Sequence, residues 1–247
     1  MPTTTTPQTA LVTQVTHFVG LAAAQALSDA GTRLACQDAT FEDPAIRAAF
    51  EAEHPGWLAL VSQSADAMVA EAADRLGGLS VIVGNHAFPA LRAPLAETQT
   101  DDVRAVLDAL VVEPIALMQA GLGPLRQAGG DASMVLVTSA APLRGLANYA
   151  PYVAARAAQN GLVISWAKEL AKHAIRVNAV APNYVESPTY FPPDLLADPA
   201  ALAKMTASVP LRRLGQPAEV GAAIAFLASP AASFITGHVL PVAGGWA

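Results

Sequence analysis

The 247-residue chain predicts a single α/β domain, a parallel sheet held between two layers of helices. Two observations predict it. Short apolar runs of strand character alternate with longer stretches of helical periodicity, the order expected of βαβ units. And 53% of the residues are apolar against 14% charged, which suits strands buried on both faces. The length accommodates one full domain of this kind, and no internal repeat or linker points to a second.

Ala10–Thr13 reads as the first strand, followed by a helix over Gly20–Ala30 that Gly31 stops. Thr32–Cys36 is the second strand. Val81–Gly84, Met134–Thr138 and Arg176–Val180 are further buried strands, and helices are predicted over Asp101–Arg126, Tyr152–His173 and Pro217–Ala228. The fold class is thus a Rossmann-like doubly wound parallel sheet in one three-layer αβα domain. It spans residues 10–247, behind a flexible tail over residues 1–9. Residues 182–210, rich in Pro, Asp and aromatics, break the pattern and are expected to form a substrate loop over the carboxyl edge of the sheet, where open α/β sheets bind ligands.

A net charge of −6, with no basic run, argues against a nucleic-acid partner. The single Cys36 has no partner for an internal disulfide. It suits a reducing cytoplasm and, inside an apolar run, reads as a core residue. The opening Met1-Pro-Thr-Thr-Thr-Thr-Pro has no signal-peptide character, and no stretch is expected to be long and apolar enough to span a membrane.

The chemistry concentrates at Ser139, Tyr152 and Arg156. Ser139 closes an apolar strand, Tyr152 opens a helix, and Arg156 follows it at i+4, on the same helical face. A phenol is a poor base at neutral pH, its ordinary pKa being about 10. A neighbouring guanidinium favours the phenolate and does not itself deprotonate. Ser139 is placed to hydrogen-bond a substrate oxygen. Tyr149 is a rival tyrosine, but Val153 stands four residues beyond it. The spacing is similar to the catalytic triad of short-chain dehydrogenases, in which the last member is lysine.

Departures from that pattern continue upstream. A dinucleotide-binding turn needs glycines so that backbone can approach the pyrophosphate. Here the segment reads Thr13-Gln-Val-Thr-His17-Phe18-Val-Gly20, with bulk at His17 and Phe18 and only the last glycine kept. The dehydrogenases' Asn-Asn-Ala-Gly is replaced by Gly84-Asn-His86-Ala-Phe88. Their helix-borne asparagine aligns with Leu110, and Val-Ala-Pro-Gly becomes Val180-Ala-Pro182-Asn183-Tyr184-Val185.

The Ser139/Tyr152/Arg156 set, joined to Thr13…Phe18-Val-Gly20, resembles the halohydrin dehalogenases, cofactor-independent relatives of the short-chain dehydrogenases. The likeness extends over Ala35–Phe41, the Pro182-Asn-Tyr turn and Pro188–Pro192. The stretch from Pro210 to Gly245 is shared with the wider superfamily. The resemblance implies that Tyr152 takes the hydroxyl proton of a vicinal haloalcohol, that an epoxide closes and halide leaves, and that small anions such as azide, cyanide or nitrite reopen epoxides. It implies a halide pocket at Phe18, Pro182, Asn183, Tyr184, Val185 and Phe191, with Tyr184 presenting its backbone. A substrate pocket is implied at His86, Phe88, Pro142, Leu143 and Tyr190. It implies no cofactor and no metal, small-molecule partners only, and a homotetramer, to which the apolar Val220–Leu227 stretch contributes. His86 stands where some relatives carry an acid. The end of the chain at Trp246-Ala247 is expected to leave the pocket more open. The alternative reading is an NAD(P)-dependent oxidoreductase with a variant triad.

Overall fold

A computed structural model describes residues 7–187, 191 and 196–247. Among them seven strands form one parallel sheet: β1 (Thr9–Val12), β2 (Arg33–Gln37), β3 (Leu58–Leu60), β4 (Val81–Gly84), β5 (Ser133–Val137), β6 (Arg176–Pro182) and β7 (Val239–Val242), in the order β3-β2-β1-β4-β5-β6-β7. The helices are α1 (Gly20–Asp29), α2 (Pro44–Glu53), α3 (Ala65–Leu76), α4 (Thr100–Leu107), α5 (Glu113–Ala128), α6 (Ala150–Leu170), α7 (Pro199–Thr206) and α8 (Pro217–Ala228).

Alternation along each strand sorts side chains between two cores. Ala10 and Val12 of β1, with Val135 and Val137 of β5, face α1 and α8. Leu11, Met134 and Leu136 face α3, α5 and α6. Both faces are covered, so the single three-layer αβα domain holds. The chain runs outward from β1 to β3 and then returns to β4 beside β1. That reversal opens a crevice beyond the carboxyl ends of β1 and β4, where open sheets bind ligands.

The strands absent from the sequence reading are the two edges. β3 has only three residues, and β7 is half-buried and carries Pro241, so neither reads as an apolar run. β1 begins at Thr9, inside the stretch expected as tail, and residues 1–6 lie outside the described residues. The 182–210 stretch contains α7.

The membrane expectation needs correction. Thr100–Ala128 is one 29-residue helical run with a segment of mean hydropathy 1.6, long and apolar enough by length and composition to cross a membrane. Its charged first turns, with Asp101, Asp102 and Arg104, precede the apolar stretch. In the fold its α5 portion packs on α3 and β4. The run is not uniform: Asp108–Val112 winds as a π-turn, and this sets fully buried Leu110 beside Ala155, with Phe88 and Tyr152 packed against them.

α1 and α8 touch backbone to side at Gly221, where a Cβ would fall on the Ala22 carbonyl. Gly221→Ala is therefore expected to destabilise the fold by about 1–3 kcal/mol, read as a lower Tm. An unchanged Tm would show that the two helices separate without cost. The far end of α8 is held by Arg176, whose guanidinium donates to the carbonyls of Leu227 (2.6 Å), Ala228 (3.0 Å) and Ser229 (3.1 Å), acceptors that the last helical turn leaves unpaired.

Candidate active site

The turn after β1 is tied to the protein's own atoms. Gln14 N–H donates to Gln37 Oε1 (3.0 Å), Val15 N–H to the Gln37 carbonyl (2.9 Å), Thr16 N–H to Asp38 Oδ2 (3.1 Å) and His17 N–H to the Gln14 carbonyl (3.0 Å). Asn85 Nδ2 pulls the turn toward β4 through the carbonyls of Gln14 (3.0 Å) and His17 (2.8 Å). Gly20 is required here by the turn itself, since a Cβ would stand 2.8 Å from Asn85 Nδ2 and collide with the Val15 carbonyl. Phe18 adopts φ +48°, a left-handed conformation that strains a bulky residue and is characteristic of functional sites.

Asp38, buried at the end of β2, was not singled out from the sequence. Its place 18 residues after Gly20, where dinucleotide-binding folds keep a ribose-binding acid, was the available signal. Both carboxylate oxygens are engaged: Oδ2 by the amide and hydroxyl of Thr16, Oδ1 by the amide (3.0 Å) and hydroxyl (2.8 Å) of Thr40. Burial raises its pKa, and these hydrogen bonds outweigh burial and hold the carboxyl below the ordinary range.

Ser139 lies two residues beyond β5, buried, its Oγ accepting from Ala141 N–H at 3.1 Å. Tyr152 is in the first turn of α6. The Arg156 guanidinium carbon sits 5.3 Å from the Tyr152 ring centroid. Arg156 is 3% exposed, and its Nη1 donates to the Val137 carbonyl (3.0 Å) and to Gln159 Oε1 (2.9 Å). Among the described residues no carboxylate reaches salt-bridge distance of Arg156. The strand carbonyl and a side-chain amide therefore anchor Arg156 through Nη1.

Ser139, Tyr152 and Arg156 line one cavity of about 240 Å³, together with Phe18, Pro182, Asn183, Tyr184, Val185 and Phe191. Its wall also includes Ala87, Leu146 and Tyr149, which the sequence reading did not select. The amide of Tyr184, expected to face a ligand, donates instead to Asn183 Oδ1 (2.9 Å), and its ring stacks toward Phe191 and meets Trp246 at a tilt, with centroids at 6.5 and 5.8 Å. Trp246 is buried beneath Arg144, so the last residues of the chain buttress this wall. Pro142 and Leu143, on a short turn whose Leu143 is half exposed, line neither this cavity nor its neighbour. His86 and Phe88 line a second, larger cavity. Tyr190 lies outside the described residues.

His86 is buried near Arg156. Burial first, and then the guanidinium charge, lower its pKa to about 4 against the opposing pull of the Gly84 backbone. The ring is neutral at neutral pH. An unfolded chain binds a proton there near pH 6.5 while the folded chain does not, so stability falls as pH drops through that window and levels off below about 4. Between pH 7 and pH 4.5, His86→Gln should lose about 2 kcal/mol less than the parent in denaturant titrations. An equal loss in both would remove His86 from the acid response.

A family described as Enoyl-(Acyl carrier protein) reductase matches residues 16–247. A cis-4-hydroxycyclohexanecarboxylate dehydrogenase of Sinomonas cyclohexanicum is 36% identical over 96% of this chain and 95% of its own length. The chain belongs to the short-chain dehydrogenase/reductase superfamily. It is an enzyme of that superfamily. Two solved structures extend the comparison. One described as a dehalogenation enzyme is 48% identical with a TM-score of 0.93, covering 98% of each chain. A halohydrin dehalogenase bound to ethyl (2S)-oxiran-2-ylacetate is 32% identical with a TM-score of 0.91, covering 96% of each. Relatives of this superfamily chain thus include both an oxidoreductase and dehalogenases.

Proposed function

We propose that this superfamily member is a cofactor-independent halohydrin dehalogenase, a carbon–halide lyase interconverting vicinal haloalcohols with epoxides and halide. One observation carries the reading: a complete Ser139/Tyr152/Arg156 set coexists with a phosphate turn whose amides from Gln14 to His17 donate within the protein. A dinucleotide needs N–H groups aimed at its pyrophosphate and an acid open to its ribose. Gln14, Val15, Thr16 and His17 donate to the protein, and Asp38 is saturated by Thr16 and Thr40. The residues present do not fit a dinucleotide, and no hydride step is assigned. The likeness to two dehalogenation structures supports the same reading.

In the proposed reaction, Ser139 and Tyr152 bind the substrate hydroxyl. Tyr152, beside the Arg156 charge, accepts its proton. The alkoxide oxygen then attacks the neighbouring carbon from behind, the C–O bond of the epoxide forms, and the carbon–halogen bond breaks with its electron pair leaving on halide. Backside displacement places the halide across the cavity from Tyr152, toward Phe18 and Asn183. A polarisable anion there is met by aromatic edges and an amide rather than a full countercharge, which allows its release. Epoxide opening by azide, cyanide or nitrite is the reverse, with Tyr152 returning the proton.

Fluorescence titration with NADH and NADPH tests this against the oxidoreductase alternative. No saturable binding is expected at up to millimolar nucleotide, a range of ordinary cofactor and substrate affinities being about 1 μM–1 mM. Saturable micromolar binding would overturn the proposal.

A further inference from the structure

The cavity at the triad is not the largest in the protein. About 240 Å³ lies below the range of about 300–1,000 Å³ usual for ligand sites, so it holds little beyond the reacting carbons and a halide. A second cavity of about 760 Å³ adjoins it, and Phe18 and Ala87 line both. Phe18 is thus the partition between them, and its strained φ of +48° holds the ring at that boundary.

The polar groups of the larger cavity are mostly engaged. Gln14 Oε1 accepts from Ala87 N–H (2.8 Å), Gln37 Nε2 donates to Gln63 Oε1 (2.7 Å), and Gln63 Nε2 donates to the carbonyls of Asp38 (3.1 Å) and Val61 (3.2 Å). The remaining lining is largely apolar, Ala65 and Met68 of α3, Ala116 and Leu117 of α5 and the Phe88 ring, with Ser64 and the exposed His17 and Glu113 among its other polar members. On the same wall stands His86, 5% exposed, its ring set against the Gly84 backbone.

Resting on the proposed dehalogenation, we infer that this second cavity receives the arm of the haloalcohol or epoxide remote from the reacting carbons. The preferred substrates are terminal haloalcohols and epoxides with a long apolar arm that passes Phe18 and Ala87. Smaller members of the class leave the cavity to water.

The test compares 1-bromo-2-propanol with 1-bromo-2-octanol. The parent should show a kcat/KM for the longer compound at least about tenfold higher, since five further methylenes are buried. Ala116→Phe, which fills the cavity away from the triad, should cut that ratio by about tenfold or more, with Ala65→Phe as a second filling variant in case the first folds poorly. A long-to-short ratio that neither filling variant moves would overturn the inference. Binding to the Tyr152→Phe protein separates this outcome from failure of the proposed function. By calorimetry, 1,2-octanediol should bind at least about tenfold more tightly than 1,2-propanediol, and Ala116→Phe should abolish the difference. Absence of bromide release from both compounds would refute dehalogenation, while the diol comparison would still decide the cavity. Equal affinity for the two diols would refute the arm site.

Discussion

Tyr152→Phe should lower halide release from a simple 1,3-dihalo-2-propanol by about 10²–10⁴-fold, the usual contribution of a positioned proton-transfer group. The phenyl ring keeps its packing against Val106, Leu110 and Ala155, so the fold should keep its Tm. The variant loses only the atom that accepts the substrate proton. Release at the parent rate would remove Tyr152 from the role of base and transfer attention to Tyr149, which lines the same cavity.

Arg156→Met should act on two observables at once. Without the guanidinium, the charge that favours a phenolate is gone, and Gln159 Oε1 and the Val137 carbonyl lose their donor. Activity is expected to fall by about 10²–10³-fold, comparable to the loss of one electrostatic stabiliser of a transition state. Stability should fall by about 1.5–3 kcal/mol, as for loss of a hydrogen bond to a charged group. The second observable is His86. Arg156 is one of the two causes lowering its pKa to about 4, so in the variant its titration, followed by NMR of the ring protons, should move upward, while burial keeps it below 6.5. An unmoved His86 titration would show that the two groups are not electrostatically coupled.

Much of this arrangement was legible in the residues. Buried central strands announce themselves because both faces are apolar, and β1, β4, β5 and β6 were found within a residue or two. The edges β3 and β7 were missed because three residues, or a half-exposed strand with Pro241, give no sustained apolar signal. Ser139, Tyr152 and Arg156 could be read because strand end and helix start fix their separation. Pro142 and Leu143 were implied by the resemblance alone, but the turn they occupy carries them off the cavity while Leu146 and Tyr149 come back to it. Cys36 behaves as its apolar surroundings indicated: it is fully buried, and burial pushes its thiol pKa far up. The use of Asp38 was hidden, since no spacing rule reveals that Thr16 and Thr40 would exhaust a carboxylate. The separation of the two cavities by Phe18 was equally invisible, because it depends on a single left-handed φ.

The most direct test of cofactor-free ring closure is bromide release from 1,3-dibromo-2-propanol by protein freed of nucleotide by charcoal treatment. The account predicts one bromide, one proton and one epoxide per turnover, at a rate that added NAD(P) leaves unchanged. No bromide from this or related haloalcohols, or release that appears only when a dinucleotide is supplied, would contradict it.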